Sequence, residues 1–332
     1  VKIKGNRFLV TGGAGLMGSH ITDRLLSGGA SEIILLDNFV RGSMHNIEEP
    51  LKDPRVRLVR GDIRKRDLLM ELAEGIDGIF HMAAIRITAC AENPREAMEV
   101  MLVGTHNVFQ TAVEQKVGKL VYASSASVYG LADSFPTDEK HHPFNNRTYY
   151  GAAKTAGEGM VRSFADMYGL RYVALRYFNV YGPRMDIHGK YTEVLIRWLD
   201  RIEAGQAPLI FGDGSQTMDL VFISDVTDAN IAAMESDVTD EVFNVASGTE
   251  TSLLGLLRAL LKVTGSSLEP EFMPERSVNP VPRRLADVRK AEELLNFRAK
   301  VDVEEGLRRL IAWRKDIIAR SGTFDSAPAV SA

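Results

Sequence analysis

Along the first half of this 332-residue chain, short apolar runs alternate with helical periods. Residues 7–10, 33–36, 56–59, 78–81, 120–124 and 172–176 read as strands. Residues 16–26, 66–74, 94–115 and 151–168 carry helical patterns; in the first of these Leu16, Met17, Ile21, Leu25 and Leu26 fall near one face. A helix after nearly every strand means that successive strands run parallel and that helices cover both sheet faces. Right-handed crossovers then wind the sheet in two directions from its middle.

After about residue 180 the texture changes. Pro183, Pro208, Pro270, Pro274, Pro280 and Pro282, with Gly212 and Gly214, divide the chain into shorter pieces, as expected of a smaller mixed lobe. Glu241-Val242-Phe243-Asn244-Val245 still reads as a strand. The expected division is a unit built on the parallel sheet over 1–180, to which the chain returns around 220–247. A second lobe takes 181–219 and 248–318, and a small, polar, disordered tail 319–332.

Composition narrows the class. Forty Lys and Arg against 44 Asp and Glu give a net charge of −4. With no basic excess to displace counterions, no nucleic-acid partner is expected. A membrane span needs about 20 consecutive apolar residues, and runs such as Ile33-Ile34-Leu35-Leu36 fall far short, so no membrane partner is expected either. The first residues lead straight into a strand-like run without a signal-peptide pattern. The single cysteine, Cys90, cannot form an internal disulfide and fits a reducing, cytoplasmic setting.

Thr11-Gly12-Gly13-Ala14-Gly15-Leu16-Met17-Gly18 follows the first strand and opens the first helix. Glycine there permits positive φ and lets backbone approach a pyrophosphate, and the helix N-terminus offers N–H donors and positive potential. Asp37 ends the second strand, where a carboxylate can accept from both ribose hydroxyls and repels a 2′-phosphate. The expected cofactor is therefore NAD rather than NADP, although Arg41 nearby could neutralise a phosphate. Asp62-Ile63 ends the third strand, at the adenine edge of such a site or, equally, at a helix N-cap. The fold class is thus α/β: a Rossmann-type doubly wound parallel sheet with a smaller mixed α/β lobe.

Tyr150-Gly151-Ala152-Ala153-Lys154 spaces a phenol and an ammonium four apart, on one helix face. A free phenol has a pKa near 10; a neighbouring ammonium, and a nicotinamide cation, favour the phenolate and make Tyr150 a candidate general base. Ser125 follows the fifth strand, at the carboxyl edge where open α/β sheets bind ligands.

These segments, with His81-Met82-Ala83-Ala84, Ser124-Ser125-Ala126-Ser127-Val128-Tyr129-Gly130 and Leu175-Arg176-Tyr177-Phe178-Asn179-Val180-Tyr181-Gly182-Pro183, resemble the extended short-chain dehydrogenases. More narrowly the chain resembles the nucleotide-sugar epimerase/dehydratase family, the UDP-glucose (UDP-galactose) 4-epimerases most of all. The match runs from about residue 5 to 316. The resemblance implies Ser125, Tyr150 and Lys154 as the catalytic set. It implies that NAD is held by Gly12, Gly15, Leu16, Met17, Gly18, Asp37, Asn38, Asp62 and Ile63, with Met82, Ala83, Ala84, Tyr150, Lys154 and Tyr177. Asn179, Leu209 and Phe211 match segments that hold a diphosphate-sugar and its base, and Ser125, Ala126 and Ser127 adjoin the sugar. Arg86 and Thr88 lie where a pocket wall is expected, with Arg86 reading the sugar or capping an ion pair.

The implied reaction is inversion at C4 of a UDP-hexose through a transient 4-keto sugar, with UDP-glucuronate 4-epimerase, decarboxylase, another nucleotide-sugar epimerase or reductase, or a non-catalytic NAD-binding scaffold as alternatives. Related dehydratases carry Asp-Glu after the catalytic hydroxyl residue. Here Ala126 and Ser127 stand there, and neither side chain can deprotonate carbon or protonate a leaving hydroxyl. Two other departures stand out. Met218 occupies a position where the family commonly has Arg, so Arg276 and Arg284 are expected to supply the missing charge; Arg284 alternatively pairs with a sugar carboxylate. Met101 replaces a usual Asn and is expected to change packing. The resemblance also implies a homodimer through helices carrying Ala97, Met98, Met101, Phe109, Met160, Phe164 and Met167. His141 and His142 are adjacent, and neighbours on a regular element cannot both easily face one ion, so no metal is expected. Cys90 reads as a small buried hydrophobe.

Overall fold

The computed structural model describes residues 1–187, 193–275 and 281–321. In chain order the elements are β1 (Arg7–Thr11), α1 (Leu16–Ser27), β2 (Glu32–Asp37), β3 (Val56–Arg60), α2 (Arg66–Leu72), β4 (Gly78–His81), α3 (Ile87–Glu92), α4 (Pro94–Met98), α5 (Thr105–Glu114), β5 (Lys119–Ser125), α6 (Tyr149–Tyr168), β6 (Tyr172–Tyr177) and β7 (Asn179–Tyr181). The second half adds α7 (Val194–Glu203), β8 (Leu209–Phe211), β9 (Thr217–Phe222), α8 (Ile223–Glu235), β10 (Glu241–Val245), β11 (Glu250–Ser252), α9 (Leu253–Thr264), β12 (Glu271–Met273), α10 (Arg289–Leu295) and α11 (Val303–Ser321).

Seven strands form one sheet in the order β10-β6-β5-β4-β1-β2-β3, and every pairing in it is parallel. Alternation within each strand explains the two covered faces. Phe8, Val10, Ile33, Leu35, Val121 and Ala123 join one apolar cluster. Their neighbours Leu9, Ile34, Leu36, Leu120 and Tyr122 join the other. Residues of α1 and α8 cover the first face, and residues of α2, α5 and α6 the second. Each fully buried Leu, Ile or Phe contributes about 1.5–3 kcal/mol of transfer free energy. The strand order reverses between β1 and β4, which opens a crevice at their carboxyl ends. Two smaller sheets, β11-β9-β7 and β12-β8, stand beyond that edge.

The structure departs from the sequence expectations in places. The single helix expected over 94–115 is broken by a π-helical stretch, Glu99–Gly104, between α4 and α5. Apolar spacing over this length does not distinguish one hydrogen-bond register from the next. The shift brings Gly104 against Ile63, whose side chain lies 2.7 Å from where a Cβ on Gly104 would stand. The second half is more helical than its prolines suggest: α7, α8, α9 and α11 span 10, 13, 12 and 19 residues. Pro208, Pro270, Pro274 and Pro282 all fall in the connections. The last helix runs through Ser321, past the expected start of the tail; residues 322–332 lie outside the described residues.

Candidate active site

A cleft of about 1250 Å³ opens at the carboxyl edge of the sheet and extends under the smaller lobe. Its floor is the turn between β1 and α1. Gly12 has φ +69°, and a Cβ there would lie 2.9 Å from the Ala83 amide nitrogen. A Cβ on Gly18 would lie 2.2 Å from the Gly12 carbonyl oxygen. Glycine is therefore required for the turn and the helix to pack this closely. Gly15 caps α1 without a side-chain bond, and the first amides of a helix have no intrahelical acceptor. Gly12, Gly15, Leu16, Met17 and Gly18 all line the cleft.

Asp37, Asn38, Asp62 and Ile63 line the adjoining wall. The Asp37 carboxylate accepts from the Ala14 amide at 2.9 Å and from the Phe39 amide at 2.8 Å. Burial raises its pKa against those bonds. Asp62 accepts from the Arg64 guanidinium and from Asn38 Nδ2, and its pKa falls to about 2. It does not cap α2, whose cap is Lys65.

Met82, Ala83, Ala84 and Tyr177 continue the lining. The Tyr177 hydroxyl donates to Asn230 Oδ1 at 2.8 Å. His81, beneath, is wedged between Thr11 and Thr105 hydroxyls at 2.7 and 3.1 Å. Burial drives its pKa to about 3, so it is neutral.

Ser125 ends β5, and its Oγ accepts from the Ser127 amide at 3.1 Å. Tyr150 lies in the first turn of α6, whose start is fixed by the Thr148 side chain accepting from the Gly151 amide at 3.1 Å. Ser125 and Tyr150 together line the cleft and the recess behind it. Lys154 lies in a recess of about 150 Å³ behind these two. Its Nζ donates to the Ala123 carbonyl at 2.5 Å and sits 5.0 Å over the Tyr122 ring and 5.8 Å over the Tyr150 ring.

The acidification expected from this ammonium and a nicotinamide cation meets an opposing effect. Burial pushes Tyr150 up to about 12, against the Ser125 side chain and the charge of Arg41. Burial also lowers Lys154 to about 8. In the chain by itself desolvation dominates, and the phenolate depends on the positive charge that a bound nicotinamide would bring.

Toward the smaller lobe the lining includes Arg86, Ser125, Ala126, Ser127, Asn179, Leu209, Phe211 and Arg284. Arg86 pairs with Asp186 at 3.3 Å and approaches Glu193 at 3.9 Å, which favours the ion-pair alternative for this residue. The Asn179 Oδ1 and Thr88 Oγ1 atoms are buried without a partner among the described residues. Both residues line the cleft, so a polar ligand there would satisfy them. Arg284 Nη1 donates to the Ala126 carbonyl at 2.9 Å. It has no carboxylate partner among the described residues, and burial alone lowers its pKa to about 10. Met218 does not line the cleft; it packs against the larger apolar cluster. Arg276 lies outside the described residues.

Sequence reasoning missed Arg197 and Arg201, spaced i, i+4 on α7 and both on the cleft wall. It also missed a pair behind Ser124. Arg176 binds Glu158 at 2.9 and 2.6 Å, and Ser124 Oγ donates to Glu158 at 2.5 Å. The signal was available: Tyr150, Lys154 and Glu158 follow one another at i, i+4 and i+8. Met101 packs with Cys90, Ala97 and Ala153 against Tyr150. Burial raises the Cys90 thiol to about 11, which suits a packed side chain.

A doubly wound sheet with a glycine turn at its switch point, a Ser–Tyr pair and a Lys on one wall, and a second lobe facing them define an extended short-chain dehydrogenase type of protein. Comparison with known proteins makes this specific. Residues 8–246 match the NAD dependent epimerase/dehydratase family, and the chain belongs to it, with NAD as cofactor. The chain is similar to the UDP-glucose 4-epimerase of Mycolicibacterium smegmatis, 36% identical over 92% of this chain and 97% of that one. Among solved structures it resembles the UDP-glucose 4-epimerase of Thermotoga maritima with UDP-glucose, at TM-score 0.88 and 32% identity over 94% of this chain and 99% of that one. It also resembles the UDP-glucuronic acid 4-epimerase of Bacillus cereus with UDP-glucuronic acid and NAD. There the TM-score is 0.85 and the identity 28%, over 94% of this chain and 99% of that one.

Proposed function

We propose that this protein is a cytoplasmic, homodimeric epimerase that inverts C4 of a UDP-hexose of the glucose/galactose type. One observation carries the reading. Ser125 and Tyr150 share a single cleft with the glycine turn on one side and with Asn179, Phe211 and Arg284 on the other. Ala126 and Ser127 add no acid or base beside the pair, which favours inversion over elimination of water.

Gly12, Gly15, Gly18 and the first α1 amides would hold the pyrophosphate of NAD, Asp37 the adenosine ribose, and Asn38, Asp62 and Ile63 the adenine edge. Glycine at 12 and 18 keeps the turn packed on backbone that a Cβ would strike, and both residues line the cleft where such a group would lie. When bound, NAD supplies a reversible acceptor for the hydride of sugar C4. Tyr150, as the phenolate, takes the C4 hydroxyl proton and later returns it. Ser125 hydrogen-bonds the same sugar oxygen. Lys154, behind the ring, offsets the negative charge of that phenolate, and Met82, Ala84 and Tyr177 keep water from the reacting face. Incubation with UDP-glucose and NAD, followed by separation of the products, tests this. UDP-galactose is expected, with no net NADH. Tyr150→Phe is expected to lower kcat by at least about 100-fold while NAD stays bound. Full activity in that variant would end the assignment.

A second reading, C4 inversion of UDP-glucuronate, is favoured by Arg284. A partly buried guanidinium in a ligand cleft with no carboxylate of its own suits an anionic sugar. Charge-assisted hydrogen bonds contribute about 1.5–3 kcal/mol. Arg284→Ala is therefore expected to raise KM for UDP-glucuronate roughly 10- to 100-fold and to spare UDP-glucose. An equal rise for both sugars assigns Arg284 to the diphosphate instead, and no change for either removes it from substrate binding.

A further inference from the structure

Between the turn that follows Ser125 and the start of α6 the chain makes a loop in which Asp133, His141 and His142 converge. His141 Nε2 lies 2.9 Å from Asp133 Oδ1, and His142 Nε2 lies 3.2 Å from Oδ2. The two imidazole centroids lie 4.6 Å apart with the rings tilted by 32°, and one ligand atom from each of the three residues falls within 4.8 Å of the others. Adjacent histidines do face one point here, an arrangement that neighbours on a regular element do not easily reach. They lie in an irregular loop, where neighbouring side chains need not diverge as they do on a helix or a strand.

The protonation pattern is informative. His141 Nδ1 lies 2.8 Å from the His142 carbonyl oxygen, which only accepts, so Nδ1 carries the hydrogen. Nε2 accepts from the Asp133 amide at 3.2 Å and lies beside the Asp133 carboxylate, so nitrogen and oxygen ligand atoms converge on one point. The His141 side chain is 3% exposed, whereas Asp133 and His142 are open to an arriving ion at 60% and 40%.

We propose that Asp133, His141 and His142 form a divalent transition-metal site, with zinc as the best-fitting ion. Two imidazoles and one carboxylate, with solvent in the fourth position, are a zinc ligand set. Calcium and magnesium prefer all-oxygen shells. On binding, His142 Nε2 releases its proton to solvent and Nδ1 takes one up. This gives up the 3.3 Å bond from the Phe144 amide. None of the three residues lines the cleft, so the role is structural. The metal would staple residue 133 to 141–142 in a loop already tied to the site at both ends. The Leu131 amide donates to the Asn145 carbonyl at 3.2 Å, Asn146 Nδ2 donates to the Ser127 carbonyl at 3.1 Å, and the Tyr129 ring meets His141 edge-on at 5.8 Å. Zinc thereby clamps the Ser125–Tyr129 turn to the segment that delivers Tyr150. This inference does not rest on the epimerase reading.

The test uses the full chain without an affinity tag, stripped with chelator and titrated with zinc chloride by calorimetry. One zinc per chain is expected, with a saturable rise in Tm and, for cobalt in its place, visible ligand-field absorption. Asp133→Asn and His142→Ala alter the more exposed partners and are expected to fold, checked by circular dichroism and by the Tm shift on adding NAD. Each is expected to weaken zinc binding by at least about tenfold. Absence of zinc binding by the natural chain, or binding by either variant with unchanged affinity and stoichiometry, overturns the proposal.

Discussion

Lys154 illustrates how far a residue's chemistry depends on its surroundings. Its ordinary value of 10.5 drops to about 8 because the amine is buried. Between those values the folded chain binds fewer protons than the unfolded one, so stability rises with pH across the window from about 8 to 10.5. Lys154→Met is expected to remove that slope, measured as the difference between urea melts of the two proteins at a series of pH values. Catalysis should respond in the opposite sense. As pH rises past about 8 the amine loses its charge and support for the phenolate declines. The Lys154→Met variant, already slow, should lack this alkaline limb. An identical stability slope in the variant would contradict the assigned ionisation. At this scale type and spacing in the sequence were enough to single out Gly12, Gly18, Asp37, Ser125 and Tyr150, all of which come to one cleft. They were not enough for the balance of burial against charge that leaves Tyr150 at about 12.

Helix α6 carries more than the Tyr-x-x-x-Lys pattern. Its third member on that face, Glu158, forms a two-point ion pair with Arg176 of β6 and accepts from Ser124 of β5. The Arg176 and Glu158 side chains are 10% and 15% exposed, so the pair is nearly removed from water. Removing one partner of such a pair strands the other charge at a cost of about 3–5 kcal/mol. Glu158→Ala is expected to lose stability on that order in denaturant melts, and to lower kcat by loosening the strand end that presents Ser125. A loss under about 1 kcal/mol would mean that Arg176 finds compensation in the Tyr129 hydroxyl and the Glu139 carbonyl, which it already meets at 2.9 and 3.0 Å. The existence of α6 was readable from its apolar period. The Glu158 pairing was not, because it joins residues that only the parallel alignment of β5 and β6 brings together.

For the whole molecule, the expected dimer face is smaller than the sequence suggested. Ala97, Met101 and Phe109 are consumed by the monomer's own core, whereas Met167, Tyr168 and Val103 stay exposed on α6 and beside α5. Exposed apolar side chains of this kind suit contact with a second copy of the chain. Light scattering after gel filtration is expected to give a dimer, and Met167→Arg a monomer with unchanged circular dichroism; a natural chain that runs as a monomer at micromolar concentration removes the homodimer from the proposed function. Strand–helix alternation, the glycine turn and the Tyr–Lys spacing were written in the order of residues, because each is local: period, φ and helical pitch act over a few residues. Only packing brings Arg197 and Arg201 to the cleft, turns Met218 away from it while Arg284 enters, and sets Asp133 against two histidines. Each of those outcomes depends on contacts between segments that the chain order leaves apart, set by how the smaller lobe and the loops pack on the sheet.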